Sequence, residues 1–241
     1  MGDLLIAVDK YSGDIPGLPA GLAEIDFFYP DTEAVLGLAP DFIFANEVNS
    51  FGVADNPFKM LGDLGINVIQ VPASNSIEGI FGDIALIAVT LGIPERGEAL
   101  INSMKGEIER TAAARHAGNA HNGKSVYFEI SSVPSIVTFG QGTYLDEMIT
   151  IAGGRNIFAD QKGWFSPAVE ELINRNPDVI LVMVYPGEDP VIEIKKRPAF
   201  GSITAIRENR VYAIDANSAS RPSQNIMLAM REIAKALEES N

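Results

Sequence analysis

The chain has no cysteine, two histidines and one tryptophan among 241 residues. Without cysteine there is no disulfide, no thiolate metal site and no cysteine nucleophile. The histidines, His116 and His121, fall at the polar end of a predicted helix and in the loop after it, so no protein-ligated transition-metal site is expected. Basic residues are scarce, 18 against 32 acidic ones, for a net charge of −14. That balance argues against a nucleic-acid partner, which needs a positive footprint. The longest apolar run, residues 84–91, is interrupted by Thr90 and falls far short of the roughly 18 residues that span a bilayer. No G-x-S-x-G, phosphate-loop or H-E-x-x-H pattern occurs. Gly140-Gln-Gly142 opens like a dinucleotide-binding turn but carries Leu145 where the third glycine belongs. Residues 1–8 show no basic segment followed by an apolar stretch and cleavage site, so the expectation is an intracellular protein or one whose leader has been removed.

What is present is alternation. Short β-rich runs at residues 4–8, 42–46, 67–71, 125–130, 179–184 and 210–214 are bounded by Pro, Gly or Asn and read as strands. Helical patterns lie between them, at 57–64, 143–152, 167–175 and 223–239. From Ile77 an apolar stripe runs through Ile80, Phe81, Ile84, Ile87, Ala88 and Leu91, with Asn75 and Glu78 at capping-box spacing. Residues 95–116 form another helix with a narrow stripe of Ile101, Met104, Ile108 and Ala112. At about 22 residues it is about 33 Å long, the length of a rod joining two lobes. Residues 118–123 form a polar loop after it. The fold class is therefore α/β, with two lobes that each carry a mostly parallel sheet flanked by helices. The lobes are expected at 1–93 and 118–241, with the joining helix at 94–117.

An internal repeat supports two similar lobes. The stretch from Glu33 through Pro40-Asp41 to Phe42-Ile43 matches the stretch from Glu170 through Pro177-Asp178 to Val179-Ile180. Each is a short helix, a Pro-Asp turn and a buried strand. Two similar lobes make the space between them the natural place for a ligand.

Ligand contacts in open α/β sheets come from loops at the strand C-termini. Tyr11 follows the first strand, Asn46 ends the second and Tyr185 follows residues 179–184. Trp164 and Phe165 lie in a predicted loop beside Gly163, and Arg221 stands just before the last helix. Aromatics with one arginine suit a bulky, partly planar, partly anionic ligand.

The order of these segments carries a resemblance. Asp9-Lys-Tyr-Ser is followed by Pro30-Asp-Thr-Glu33, Ala39-Pro-Asp-Phe-Ile and Leu64-Gly-Ile-Asn-Val-Ile. Then come Gly140-Gln-Gly-Thr-Tyr-Leu-Asp-Glu-Met-Ile, Ala152-Gly-Gly-Arg-Asn-Ile, residues 166–172, Asn176-Pro-Asp-Val-Ile and Arg221-Pro. Over essentially its whole length the chain resembles the substrate-binding proteins of ABC importers for ferric siderophores, haem and cobalamin. The resemblance implies two Rossmann-like lobes bridged by a long helix, and a ligand held between them by Tyr11, Asn46, Trp164, Phe165, Tyr185 and Arg221. It implies no resident cofactor, any metal arriving within the ligand. It implies an extracytoplasmic location, and a permease dimer that an acidic residue of each lobe would meet: Glu170 on one lobe, Asp55 or Glu47 on the other. Members usually begin with a further strand and helix. Their lack here leads to the expectation of an exposed sheet edge through which two copies would associate. Two other readings remain: a metal-ion capture protein of the same architecture, which would need a histidine cluster, and an enzyme on a two-lobed scaffold, whose cluster chemistry would need cysteines.

Overall fold

The computed structural model describes residues 4–46, 57–117, 123–131, 134–185 and 189–240, and the chain divides into two compact units, Met1–Ala73 and Ser74–Asn241. The first unit runs β1 (Ala7–Asp9), β2 (Ala23–Ile25), α1 (Thr32–Gly37), β3 (Phe42–Asn46), α2 (Pro57–Asp63) and β4 (Asn67–Val71). β1 pairs with β2 and β3 with β4, both in parallel. Asp31 starts α1, its carboxylate accepting from the amides of Glu33 (3.0 Å) and Ala34 (3.1 Å). α2 gives way to Gly65, whose φ of +94° lies where only glycine is unstrained. β3 alternates, Ile43 and Ala45 pointing inward to meet Ile25, Val35, Phe58 and Leu61. The first strand is later than the hydrophobic run at 4–8 suggested: Leu4, Leu5 and Ile6 are exposed, and pairing begins at Ala7.

The second unit begins with α3 (Ile77–Thr90) and α4 (Pro94–Ala117). It continues with β5 (Ser125–Glu129), β6 (Thr138–Phe139), α5 (Tyr144–Ile151), β7 (Arg155–Asn156), β8 (Trp164–Phe165), α6 (Val169–Arg175) and β9 (Val179–Val184). It ends with α7 (Pro190–Lys195), a 3₁₀ turn at Pro198–Ser202, α8 (Thr204–Arg207), β10 (Val211–Asp215), α9 (Ala216–Ser220) and α10 (Ile226–Glu239). The strand order is β10-β9-β5-β7, all parallel. Successive side chains of β5 face opposite ways, so Val126 and Phe128 join a core with α3, α4, α5 and α10, while Tyr127 joins a second core with Phe158, Leu172 and Phe200. Helices on both faces explain why β9, Val-Ile-Leu-Val-Met-Val, is apolar throughout rather than alternating.

α3 is capped by Ser76, whose Oγ accepts from the Gly79 amide at 3.0 Å, and not by the Asn75–Glu78 box that the spacing suggested. The amide of Ile77 donates to Glu147 of α5 (2.9 Å), so a carboxylate of the second unit finishes the helix start. The Pro-Asp turn before β9 also has a job. Asp178 accepts from the amide (2.9 Å) and hydroxyl (2.6 Å) of Ser125, and its own amide donates to Ser125 Oγ (2.9 Å). Burial acts to raise the Asp178 pKa, but the bonds from Ser125 outweigh it and the carboxyl lies below its usual range. The turn thereby pins the register of β9 against β5.

Candidate functional site

In the first unit, Tyr11 stands just past the C-terminal end of β1, 61% exposed. Its amide donates to Asp9 Oδ1 (2.8 Å), its ring meets Phe28 edge-on (6.5 Å between centroids) and Lys10 Nζ sits 4.9 Å from its ring centre. Lys10 is itself bound to Asp26 at 2.6 Å; the hydrogen bond between them raises the lysine's pKa and lowers the aspartate's. Asn46 closes β3 with its amide nitrogen 3.5 Å from the Pro72 carbonyl. Glu47 and Asp55 lie outside the described residues.

In the second unit the sheet order defines a place for a ligand. From β5 the chain crosses to β7 on one side and returns to β9 on the other, so the topological switch point lies between β5 and β9. Tyr185 leaves the end of β9, 44% exposed. Arg221 follows α9, the turn that leaves the neighbouring end of β10, is half-buried and has an interaction partner of its own.

Trp164 is the most defined of the candidate contacts. Residues 164 and 165 form a short strand, antiparallel to β6, where a loop was expected. The indole is 43% exposed, yet its ring packs edge-on to Phe139 (5.7 Å) and Tyr144 (6.2 Å), and its Nε1–H donates to Asn75 Oδ1 at 3.3 Å. Tyr144 is held in turn by its hydroxyl, which donates to the Ala219 carbonyl (2.8 Å); burial pushes its pKa up to about 12. Strand alternation turns Phe165 to the other side, where it meets Phe158 edge-on at 5.3 Å and packs on the second core. Gly140 needs its lack of a side chain because the Gln161 carbonyl lies 2.3 Å from where a Cβ would stand, so it serves the contact of two loops, whereas Gly142 has open space and a φ of +82°.

Two residues escaped the sequence reading. Asn75 looked like a helix cap but orients Trp164 across 89 positions of chain. Glu129, fully buried at the end of β5, accepts both guanidinium bonds of Arg197 (2.8 Å each) and the Tyr127 hydroxyl (3.0 Å). Arg197 also grips Glu193 of α7, so the helix that follows the Tyr185 loop is clamped to the strand beside the switch point. The signal available in sequence was an acid at the end of an apolar strand, Ser-Val-Tyr-Phe-Glu129. Glu170 is exposed in the first turn of α6 and makes no ion pair with any described residue. Among the described residues no three His, Asp or Glu side chains converge as a metal site. His121, and the side chain of His116, lie outside the description. No described helix is long and apolar enough to cross a membrane.

Residues 25–218 match the profile of the periplasmic binding proteins. The chain belongs to that family. A periplasmic binding protein relative, the uncharacterised ABC transporter substrate-binding lipoprotein YvrC of Bacillus subtilis strain 168, is 28% identical over 86% of this chain and 65% of its own length. The vitamin B12-binding protein of Salmonella paratyphi A is 29% identical over 87% of this chain and 73% of its own. A solved structure from Staphylococcus epidermidis ATCC 12228, described as a possible iron-binding (periplasmic solute-binding) protein, superposes with a TM-score of 0.78 at 27% identity, covering 90% of this chain and 83% of that one. The chain thus spans 65% and 73% of the length of these two curated relatives. The two-unit α/β architecture and the parallel sheets are those of periplasmic binding proteins.

Proposed function

We propose that the chain captures a bulky metal chelate or tetrapyrrole-type ligand outside the cytoplasm and passes it, chemically unchanged, to an ABC permease. Candidate contacts are Tyr11 and Asn46 on the first unit and Trp164, Tyr185 and Arg221 on the second. The observation that carries this reading is Trp164: a large apolar surface left in water, yet fixed on three sides by Phe139, Tyr144 and Asn75. An exposed aromatic ordered in advance loses little freedom on binding, which favours affinity. Support also comes from the relatives, one an ABC transporter substrate-binding lipoprotein and another a vitamin B12-binding protein. Glu170 is the proposed permease contact on the second unit, and the metal would belong to the cargo.

Titration with cyanocobalamin, ferric siderophores and haem tests the reading. Trp164 is the only tryptophan, so its emission reports on this patch alone. One ligand should quench it to saturation after correction for absorbance, and Trp164→Ala should weaken that ligand about tenfold or more. No heat of binding for any of them would overturn the proposal. Glu170→Arg should leave affinity intact and reduce ligand-dependent stimulation of the permease.

A further inference from the structure

Within the second unit, Tyr144 joins two candidate contacts that lie far apart in sequence. It opens α5, and the start of that helix is locked in place. Thr143 Oγ1 accepts from the Asp146 amide (3.2 Å) and its hydroxyl donates to the Gly140 carbonyl (3.2 Å). The amide of Asn156 donates to Asp146 Oδ1 (2.9 Å) and to the Phe139 carbonyl (3.1 Å). Thr143 and Asn156 are buried, so water competes little for these bonds. From this fixed base the Tyr144 ring meets the Trp164 indole edge-on at 6.2 Å. Its hydroxyl reaches a residue 75 positions later, donating to the Ala219 carbonyl at 2.8 Å.

Ala219 lies in the single turn of α9, where the final carbonyls have no partner within the helix. Ser218 ties the start of α9 to Asp215, its amide donating to Oδ2 (2.8 Å) and its hydroxyl to the carbonyl (3.0 Å). The Tyr144 hydroxyl holds the other end, just before Arg221 leaves the helix in an extended conformation (φ −106°, ψ 105°). Tyr144 and Ala219 are both buried, so losing this bond leaves a carbonyl unpaired away from water and frees the helix end to move. Arginine has a long side chain with much rotamer freedom, and a firmly held backbone origin reduces what must be ordered on binding.

Resting on the capture function proposed above, we infer that Tyr144 is a positioning residue: its ring orients Trp164 while its hydroxyl places Arg221, so that an aromatic face and a cation are presented to the ligand as one pre-arranged pair.

The test is a double-mutant cycle on the intact chain, read by calorimetry. Cyanocobalamin, haem, a ferric trihydroxamate and a ferric tricatecholate are titrated first, and the tightest binder serves as the probe. Tyr144→Phe keeps the ring against Trp164 and removes only the hydroxyl; it should weaken the probe about five- to tenfold. In an Arg221→Ala background the same change should cost less than about twofold, because the side chain it places is gone. A hydroxyl that served stability alone would act equally in both backgrounds. Equal losses, or no loss in either, would overturn the inference and leave the capture function standing. If Tyr144→Phe does not fold, Ser218→Ala loosens α9 at its other end and enters the same cycle, with the same expectation and the same contrary result. Absence of binding by all four probes would overturn the capture function itself, and this inference with it.

Discussion

The two copies of the helix, Pro-Asp turn and strand pattern end in different surroundings. In the first unit α1, Pro40-Asp41 and β3 lead to a strand that, among the described residues, pairs with β4 alone and buries one face. In the second, α6, Pro177-Asp178 and β9 lead to a strand between β5 and β10, buried on both faces. Both turns pass through a left-handed residue just before the proline, Ala39 at φ 47° and Asn176 at φ 44°. Asparagine tolerates that conformation, and here its Oδ1 also accepts from the Thr204 amide at 2.8 Å; alanine has no such compensation. Local pattern sets the turn and starts the strand. Neighbours decide how deeply the strand is buried and whether its polar groups become internal.

The sharpest way to break the comparison is at the internal charges. Arg197→Met should destabilise the second unit by about 3–5 kcal/mol, because it strands the Glu129 carboxylate in a core. Glu129→Leu combined with Arg197→Met should recover most of that loss in denaturant unfolding. If the single variant were neutral, the clamp would not be holding α7 to β5. Alkaline pH comes next. With the phenol of Tyr144 pushed up to about 12 against an ordinary value of 10, the fold favours the neutral form. Its stabilisation is complete below pH 10 and is lost as pH rises through 12, about 3 kcal/mol in all. Tyr144→Phe should flatten that part of the alkaline limb. Smaller and opposite in sign are the turn variants: Asn176→Ala should cost about 1–2 kcal/mol, and Ala39→Gly should gain about 1 kcal/mol. Equal effects at the two turns would mean that their shared backbone shape matters less than their settings. The smallest effect is expected at the exposed Lys10–Asp26 pair, where Lys10→Met should leave the unfolding midpoint unchanged.

Much of this was legible from periodicity. The strands at 42–46, 67–71 and 179–184 stand at the bounds that their β-rich runs and flanking Pro, Gly and Asn indicate. The Pro-Asp repeat pointed to two related helix–strand units, and both are present. β6, β7 and β8 were not legible, because two residues carry no period. So the opposite orientations of Trp164, toward Phe139 and Tyr144, and of Phe165, toward Phe158, carry no signal in local pattern. The Ser76 cap was missed because Asn75 is an equally good capping residue by type; what diverts it is an indole far along the chain. The Glu129–Arg197 pair spans 68 positions, and a pairing at that distance leaves no trace in local pattern.

The ties of α3 to later segments have a consequence for synthesis. Among the described residues the strand pairs of the first unit lie within its own 73 residues, so it can close before the rest of the chain has emerged from the ribosome or from a membrane channel. α3 follows at once, but its first turn needs Glu147, and Asn75 waits for Trp164. β5 waits longer still, since Glu129 stays without its cation until Arg197 is made, and the sheet face lacks α10 until the last residues emerge. Between those moments Ile77, Ile80 and Phe81 are uncovered apolar surface on a nascent chain. A translational pause or truncation after α4 would therefore leave a finished first unit joined to an adhesive helix pair, the form most prone to aggregate or to be seized by a chaperone.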